Sequence, residues 1–347
     1  MKDLELSRRS LLAGVGVAAT VLTSIDRGAA SAQGAVWRDI SPAAEAPPPR
    51  WDHHLAADAD AGLLLLFGGR DNDGNALGDT WLFDIEASTW TPVDGEAPSP
   101  RFGSATAYDA DRNRFWLFGG EAGADFYSDT WRFDFGAGRW RLQDDASGAA
   151  PSPRYGLGAA FTTDGQFVIS HGFTFAGRFD DTWQFDSEAK TWTDITPGGV
   201  RPLNRCLHEM INAQPDGQIL LYGGCSSGFG PCPQGDLWSL DRATGSWTEL
   251  TPAASPPARS NPSLVWMDAA GGSILFGGQT EAGKTADLWT GSFDASGFAW
   301  SSLAADGATP AARSSHDSVV LNQTMYVFGG STDSGAINDL WALDLPQ

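Results

Sequence analysis

Phe118-Gly119-Gly120 and the Asp129-Thr130-Trp131 that follows it form one copy of a pattern that recurs six times in this chain. Phe67-Gly68-Gly69 leads to Asp79-Thr80-Trp81, Gly223-Gly224 to Asp236-Leu237-Trp238, Gly277-Gly278 to Asp287-Leu288-Trp289 and Gly329-Gly330 to Asp339-Leu340-Trp341. In the third copy His171-Gly172 precedes Asp181-Thr182-Trp183, so a histidine stands where the others have glycine. Each copy opens on an arginine, at Arg50, Arg101, Arg154, Arg205, Arg259 and Arg313, with spacings of 51, 53, 51, 54 and 54 residues. A period of this size marks a repeat architecture in which each unit buries its apolar faces only against its neighbours.

Four short strands fit each period. The first follows the arginine, the second ends on the glycine pair, the third starts at Asp-x-Trp, and the fourth carries a second tryptophan: Trp90, Trp140, Trp192, Trp247 or Trp300. Polar hairpin signals separate the first two strands at Asp109–Asn113, Thr163-Asp164-Gly165 and Pro215-Asp216-Gly217. Apolar runs such as Leu63–Phe67 read as strands buried on both faces. The 42 Gly and 20 Pro do not suit long helices. Small residues early in the copies (Gly103, Ser104, Ala105, Gly156, Gly158, Ala159) suit a crowded innermost strand, and the tryptophans suit the wider space outside it. The aspartates of Asp-x-Trp are expected to accept backbone N–H groups of the preceding loop. The sixth copy stops after its third strand, whereas Trp37-Arg38-Asp39-Ile40, which matches Trp192-Thr193-Asp194-Ile195, precedes the first arginine without a sheet of its own. An N-terminal strand that completes the last sheet would close the ring and remove its open edges. The expected fold is all-β, a six-bladed propeller over residues 33–347 with four antiparallel strands per blade.

The arginine start, Gly-Gly, Asp-Thr/Leu-Trp and late tryptophan together resemble the kelch repeat, and the resemblance covers the chain after residue 34. It implies that the link before the first strand and the loop between the second and third emerge on one face around the axis. Those loops are also the part of this sequence that does not repeat, so function is expected there. Kelch propellers host binding proteins, sugar isomerases and oxidases alike, so the resemblance specifies the fold and leaves the activity open.

Before the repeats, Ser7-Arg8-Arg9-Ser10-Leu11-Leu12 opens a weakly apolar stretch to about Ile25, and Ala30-Ser31-Ala32 offers small residues for cleavage before Gln33. Residues 1–32 therefore read as an export signal, twin-arginine-like or general secretory, and the stretch is too short and interrupted for a membrane span. The expected location is periplasmic or extracellular. The net charge of −21, with Lys2, Lys190 and Lys284 as the only lysines, argues against nucleic acid as a partner.

The six starting arginines admit two readings: a positive ring that binds a carboxylate, sugar acid or acidic peptide, or ties from each blade's loop to a neighbouring carbonyl or aspartate. His53, His208 and His316, three residues after an arginine, fit packing better than metal or proton chemistry. One position further, blades 1, 4 and 6 carry His54, Glu209 and Asp317 where others carry Ala105, Gly158 or Ser263. These three are candidate acid–base groups, or the lining of a wet channel. In blade 3, His171 with Phe173, Phe175, Arg178 and Phe179, joined by Phe126 and Tyr127, would build an aromatic wall for a sugar ring or a partner side chain, or else pack on itself. Asp71-Asn72-Asp73-Gly74-Asn75 lacks the later ligands of a calcium loop and reads as a turn. Cys225 and Cys232 flank one blade-4 loop and would pair in an oxidising compartment, with a Cys206–Cys225 bridge as the alternative. No cofactor or metal site is indicated.

Two functions follow. One is an exported module that holds a glycan, a polypeptide or an acidic small molecule on its loop face. The other is a sugar-acid isomerase resembling the periplasmic N-acetylneuraminate epimerase (mutarotase), a six-bladed kelch propeller.

Overall fold

The structure is a computed structural model that describes residues 34–345 apart from 44, 145, 147, 214–216 and 296. The expected export segment, residues 1–32, and the Pro215-Asp216 part of one hairpin turn lie outside the described residues. Six sheets follow one another along the chain, and each is ordered first, second, third, fourth strand from its inner to its outer edge. In blade 1 these are His54–Asp58, Leu63–Phe67, Thr80–Asp84 and Thr89–Pro92, antiparallel throughout. Among the described residues the helical content is two single 3-10 turns, Phe135–Ala137 and Asp268–Ala270, and no helix is long and apolar enough to cross a membrane.

The inner strands His54–Asp58, Ala105–Asp109, Gly158–Phe161, Glu209–Ala213, Ser263–Met267 and Asp317–Leu321 each neighbour the next, and the sixth neighbours the first. In the last sheet the strand Ala35–Asp39 runs antiparallel beside Gly335–Asp344, with Trp37 opposite Leu343. Its other edge is covered by Ala305–Asp306, which pairs parallel with Ala35 and Val36.

One apolar layer fills each gap between neighbouring sheets, and strand periodicity sorts side chains between two layers. Leu64 and Leu66 pack with Tyr326 and Phe328 toward blade 6, while Leu65 and Phe67 pack with Phe115 and Leu117 toward blade 2. The late tryptophans fill the outer part of these layers, and two of them also bond across the gap. The indole N–H of Trp140 donates to Thr80 Oγ1 at 2.9 Å and that of Trp192 to Thr130 Oγ1 at 3.2 Å. Threonine in Asp-Thr-Trp thus serves the following blade.

The first glycine of each pair adopts a left-handed φ because the backbone must pass close under the next blade's arginine. At Gly223, φ is +74° and a Cβ would stand 2.6 Å from the Arg259 carbonyl oxygen. Gly223→Ala is therefore expected to cost at least about 1–2 kcal/mol from the dihedral alone, with the contact adding to it. Equilibrium urea denaturation measures the shift, and a midpoint equal to that of the wild type would refute the argument.

Candidate functional site

Every starting arginine is consumed inside its own blade. Arg50 places Nη1 and Nη2 each 2.7 Å from the two oxygens of Asp79, while Nη1 also donates to the Gly68 carbonyl and Nε to the Pro48 carbonyl. Arg101 with Asp129, Arg154 with Asp181, Arg205 with Asp236, Arg259 with Asp287 and Arg313 with Asp339 repeat this fork. All six guanidiniums are at most 1% exposed. They tie the loops of their own blades and offer an incoming anion no free nitrogen, so the positive ring of the anion reading is not formed. The repeat aspartates accept these guanidiniums and the indole N–H two residues on, as Asp129 does from Trp131 at 2.6 Å, in place of the backbone donors expected from sequence. Arginine, glycine pair and Asp-x-Trp are thus three parts of one clamp.

Two residues after each arginine the chain turns into the inner strand through a left-handed residue: Asp52, Gly103, Gly156, Leu207, Asn261 and Ser315, with φ between 50° and 68°. Their peptide groups form a closed cycle. Gly103 N–H donates to Asp52 O, Gly156 to Gly103, Leu207 to Gly156, Asn261 to Leu207, Ser315 to Asn261 and Asp52 to Ser315, at 2.7–3.0 Å. Six blades are thereby tied head to tail around the axis, and the bonds offset the cost of holding four non-glycine residues in this region. The sequence signal was available: aspartate, glycine, asparagine and serine, which tolerate such turns, occupy five of the six positions.

The inner strands and this ring enclose an axial channel of about 390 Å³. His54, Glu209 and Asp317 all line it. The inner edge of each first strand leaves N–H groups without a ladder partner, and side chains from the adjacent blade supply acceptors. His54 Nε2 accepts Ser104 N–H at 3.0 Å, His208 Nε2 accepts Gly158 N–H at 3.1 Å, and Asp317 Oδ2 accepts Leu55 N–H at 2.8 Å. Burial, then the charge of Arg101, lowers the His54 imidazole to about 3, so it is neutral and serves the scaffold. Burial raises Asp317 to about 7 against the two backbone N–H groups it accepts, from Leu55 and Ser318. Burial, and then the Asp317 charge, holds Glu209 well above the usual carboxylate range. No described residue hydrogen-bonds the Glu209 carboxyl.

The blade-3 residues divide. His171 is fully buried with φ +62°, its Nδ1 2.6 Å from Ser170 Oγ and its ring against His208 and Trp247. Burial, followed by the charge of Arg205, lowers it to about 3. It fills the space beneath the loop and presents nothing to a ligand, which corrects its assignment as a binding residue. Phe179 likewise stacks on the Arg154 guanidinium at 3.8 Å, as Tyr127 does on Arg101 at 4.0 Å. Phe173, Phe175 and Arg178 do belong to the loop face. They sit on the hairpin Phe173–Thr174/Gly177–Arg178, where Phe175 is 69% exposed at the tip and lies 4.9 Å from Phe126 of blade 2. Arg178 lies over Phe173 and donates to the Ser227 carbonyl at 2.6 Å, joining this hairpin to the blade-4 loop.

That blade-4 loop is closed by a Cys225–Cys232 disulfide, and Cys206 is free and buried, which excludes the Cys206–Cys225 alternative. It carries Phe229, 53% exposed, and Leu203 of the preceding link, 47% exposed, lies against Gly230. Sequence reasoning passed over these two and Trp51, Phe102, Tyr155 and Arg70. The guanidinium of Arg70 lies over Trp51 and Phe102 and pairs with Asp52 at 2.7 Å beside the channel mouth. Its signal was an aromatic directly after the arginine in blades 1 to 3 and nowhere else. The Asp71–Asn75 stretch is a turn whose Asp71 carboxylate accepts the N–H groups of Asp73 and Asn75.

Comparison with known proteins agrees with this architecture. A family profile described as the KLHDC2/KLHL20/DRC7 Kelch-repeats domain matches residues 29–224 and 213–347. The Leucine-zipper-like transcriptional regulator 1 homolog of Drosophila melanogaster is 27% identical over 306 residues, 82% of this chain and 30% of that protein. The Rab9 effector protein with kelch motifs of Xenopus laevis is 26% identical over 197 residues, 54% of this chain and 53% of that protein. The flagellar outer-arm dynein alpha chain of Chlamydomonas reinhardtii is 29% identical over 204 residues, 54% of this chain, but the match spans 4% of its length. The chain therefore spans at most about half the length of these relatives, and what it shares with them is the repeat. With the six clamps, the ring of left-handed turns and this match in hand, the chain belongs to the kelch-repeat family.

Proposed function

We propose that the protein is an exported binding module that holds a polypeptide against the loop face of blades 2 to 4. The carrying observation is the run of apolar side chains on these loops, in which Phe175, Leu203 and Phe229 are exposed and the half-buried Phe126 and Phe173 support Phe175. Exposed aromatic clusters of this kind mark interaction surfaces, and aromatics supply most of the energy at such interfaces. The hairpins and the Arg178–Ser227 bond hold the cluster in place, so little ordering entropy opposes association. A relative named as a Rab9 effector with kelch motifs supports a protein-binding role for the repeat. Export is supported by the signal-like N-terminus and by the Cys225–Cys232 disulfide, which suits an oxidising compartment. Of the features that suggested a sugar-acid isomerase, the free arginine ring is not formed.

The test is site-specific photo-crosslinking in the native host, with the crosslinker at 175, at 229 and, as a control, at Leu142, which is 44% exposed on an outermost strand. Discrete protein adducts are expected from 175 and 229 and not from 142. Equal labelling at all three positions, or none at 175 and 229, would remove the proposal.

A further inference from the structure

The axial channel has a chemical character that the loop face does not share. It is lined by all six inner strands, and no lysine or arginine reaches it. Its charged groups are carboxyls. Asp52 at the mouth is already paired with Arg70, which leaves Glu209 and Asp317, two residues deeper on blades 4 and 6. Asp317 has two backbone donors. Glu209 has none: it is half-buried among the inner strands, lines the channel, and feels the Asp317 carboxyl as a like charge. A carboxyl so placed is an acceptor awaiting a donor, since an unpaired buried charge is costly and a like-charged neighbour makes it more so.

We propose that the channel is a site for an organic cation, a primary amine or guanidinium that enters from the loop face and is held between Glu209 and Asp317. Three observations exclude other ligand classes. An anion meets two carboxyls and no positive group. A metal ion meets too few ligands, because no cluster of three or more His, Cys, Asp or Glu among the described residues is arranged to hold one. A purely apolar ligand would leave Glu209 without a partner. A volume of about 390 Å³ accepts a lysine- or arginine-sized chain, and Ala57, Ala107, Ala160 and Leu264 offer its methylenes an apolar wall. The same chemistry has two sources: a free small amine, or the side chain of a protein partner docked on the loop face.

Affinity should rise with pH, because the cation requires ionised carboxylates and burial shifts the ionisation of both upward, Asp317 to about 7. The other titratable groups around the pair do not change this sign. His54, His208 and His316 stay neutral, Tyr155 and Tyr108 are raised away from neutral pH, and Asp52 keeps its Arg70 partner.

The experiment is isothermal titration of the intact exported protein at pH 6 and pH 8. One arm uses cadaverine and agmatine; the other uses a Gly-Ser peptide carrying a central lysine, with norleucine in its place as control. Saturable binding is expected in at least one arm, tighter at pH 8, and weakened about thirtyfold or more in Glu209→Gln. Glutamine is a neutral isostere of the protonated acid, so at pH 6 this variant is expected to melt close to the wild type. Binding of the small amines assigns a free amine; binding of the lysine peptide alone assigns a partner side chain; either result supports the site. No saturable heat in either arm at millimolar concentrations, or binding unchanged in Glu209→Gln, overturns it. Phe175→Ser is expected to leave amine binding intact, so loss of the loop-face reading and loss of this one are separable.

Discussion

Arg205→Ala is expected to destabilise the protein by about 3–5 kcal/mol, the range for removing one partner of a desolvated ion pair. The arginine is fully buried, and all three of its nitrogens are bonded, to Asp236, the Gly223 carbonyl and the Leu203 carbonyl. Its loss leaves Asp236 with the Trp238 indole N–H and its own backbone N–H to stabilise its charge. Arg205→Lys is expected to recover less than half, because an ammonium cannot address both carboxylate oxygens and a carbonyl from one plane. Denaturant midpoints at constant slope measure both. A midpoint within about 0.5 kcal/mol of the wild type, as for an ordinary surface change, would mean the guanidinium is not a clamp and would return it to the pool of ligand groups.

Mild acid is expected to weaken the fold well before the clamps titrate. All five histidines of the chain, His53, His54, His171, His208 and His316, are buried. Burial lowers His54, His171 and His316 to about 3 and His53 and His208 well below their ordinary range. An unfolded histidine binds its proton near pH 6.5, the folded one does not, so the stability these groups contribute is complete above pH 6.5 and declines as pH falls. At pH 5 the loss is roughly 2 kcal/mol per histidine. The raised carboxyls act in the opposite sense: Asp317, at about 7 when folded, contributes stability below about pH 4 that is lost as pH rises through 7, and Glu209 does likewise. Asp52, Asp109 and Glu121 are raised too, but by less than Asp317 and Glu209, so the five strongly lowered histidines prevail and the urea midpoint is expected to fall between pH 7 and pH 5. The double variant Glu209→Gln/Asp317→Asn should show the steeper fall, having lost the two most strongly raised carboxyls. Below about pH 4 a further drop is expected. At Asp236 burial opposes ionisation but is outweighed by Arg205, so the carboxyl sits below its ordinary range and its contribution disappears on protonation. A midpoint that is flat or rises from pH 7 to pH 5 would contradict the neutral, buried state of the histidines.

The tests place function and scaffold on different residues, and the sequence separated them only in part. Repetition itself marked the scaffold: a residue needed once per blade recurs once per blade, so the clamp partners were visible as Arg, Gly-Gly and Asp-x-Trp. Their wiring was not, because the partners lie 26 to 31 positions apart and only the folded blade brings guanidinium to carboxylate. His171 shows the converse error. A break in a repeat attracts attention as a site, yet here the odd residue adopts the glycine backbone conformation and fills a gap behind it.

What the sequence determined by itself was the number of blades, the alternation of apolar residues that loads both faces of each sheet, and the tryptophan of an N-terminal strand belonging beside the last blade. These follow from local periodicity and from the count of repeats, which need no knowledge of distant neighbours. Tertiary structure alone decided that the six arginines face inward to aspartates and not outward to a ligand. It also decided that six peptide groups close a hydrogen-bonded ring, and that Glu209 and Asp317 share one channel although 108 positions separate them. Each of these is a relation between blades or across the axis, and curvature of the ring sets it, because only a closed ring brings the inner edge of one repeat against the next.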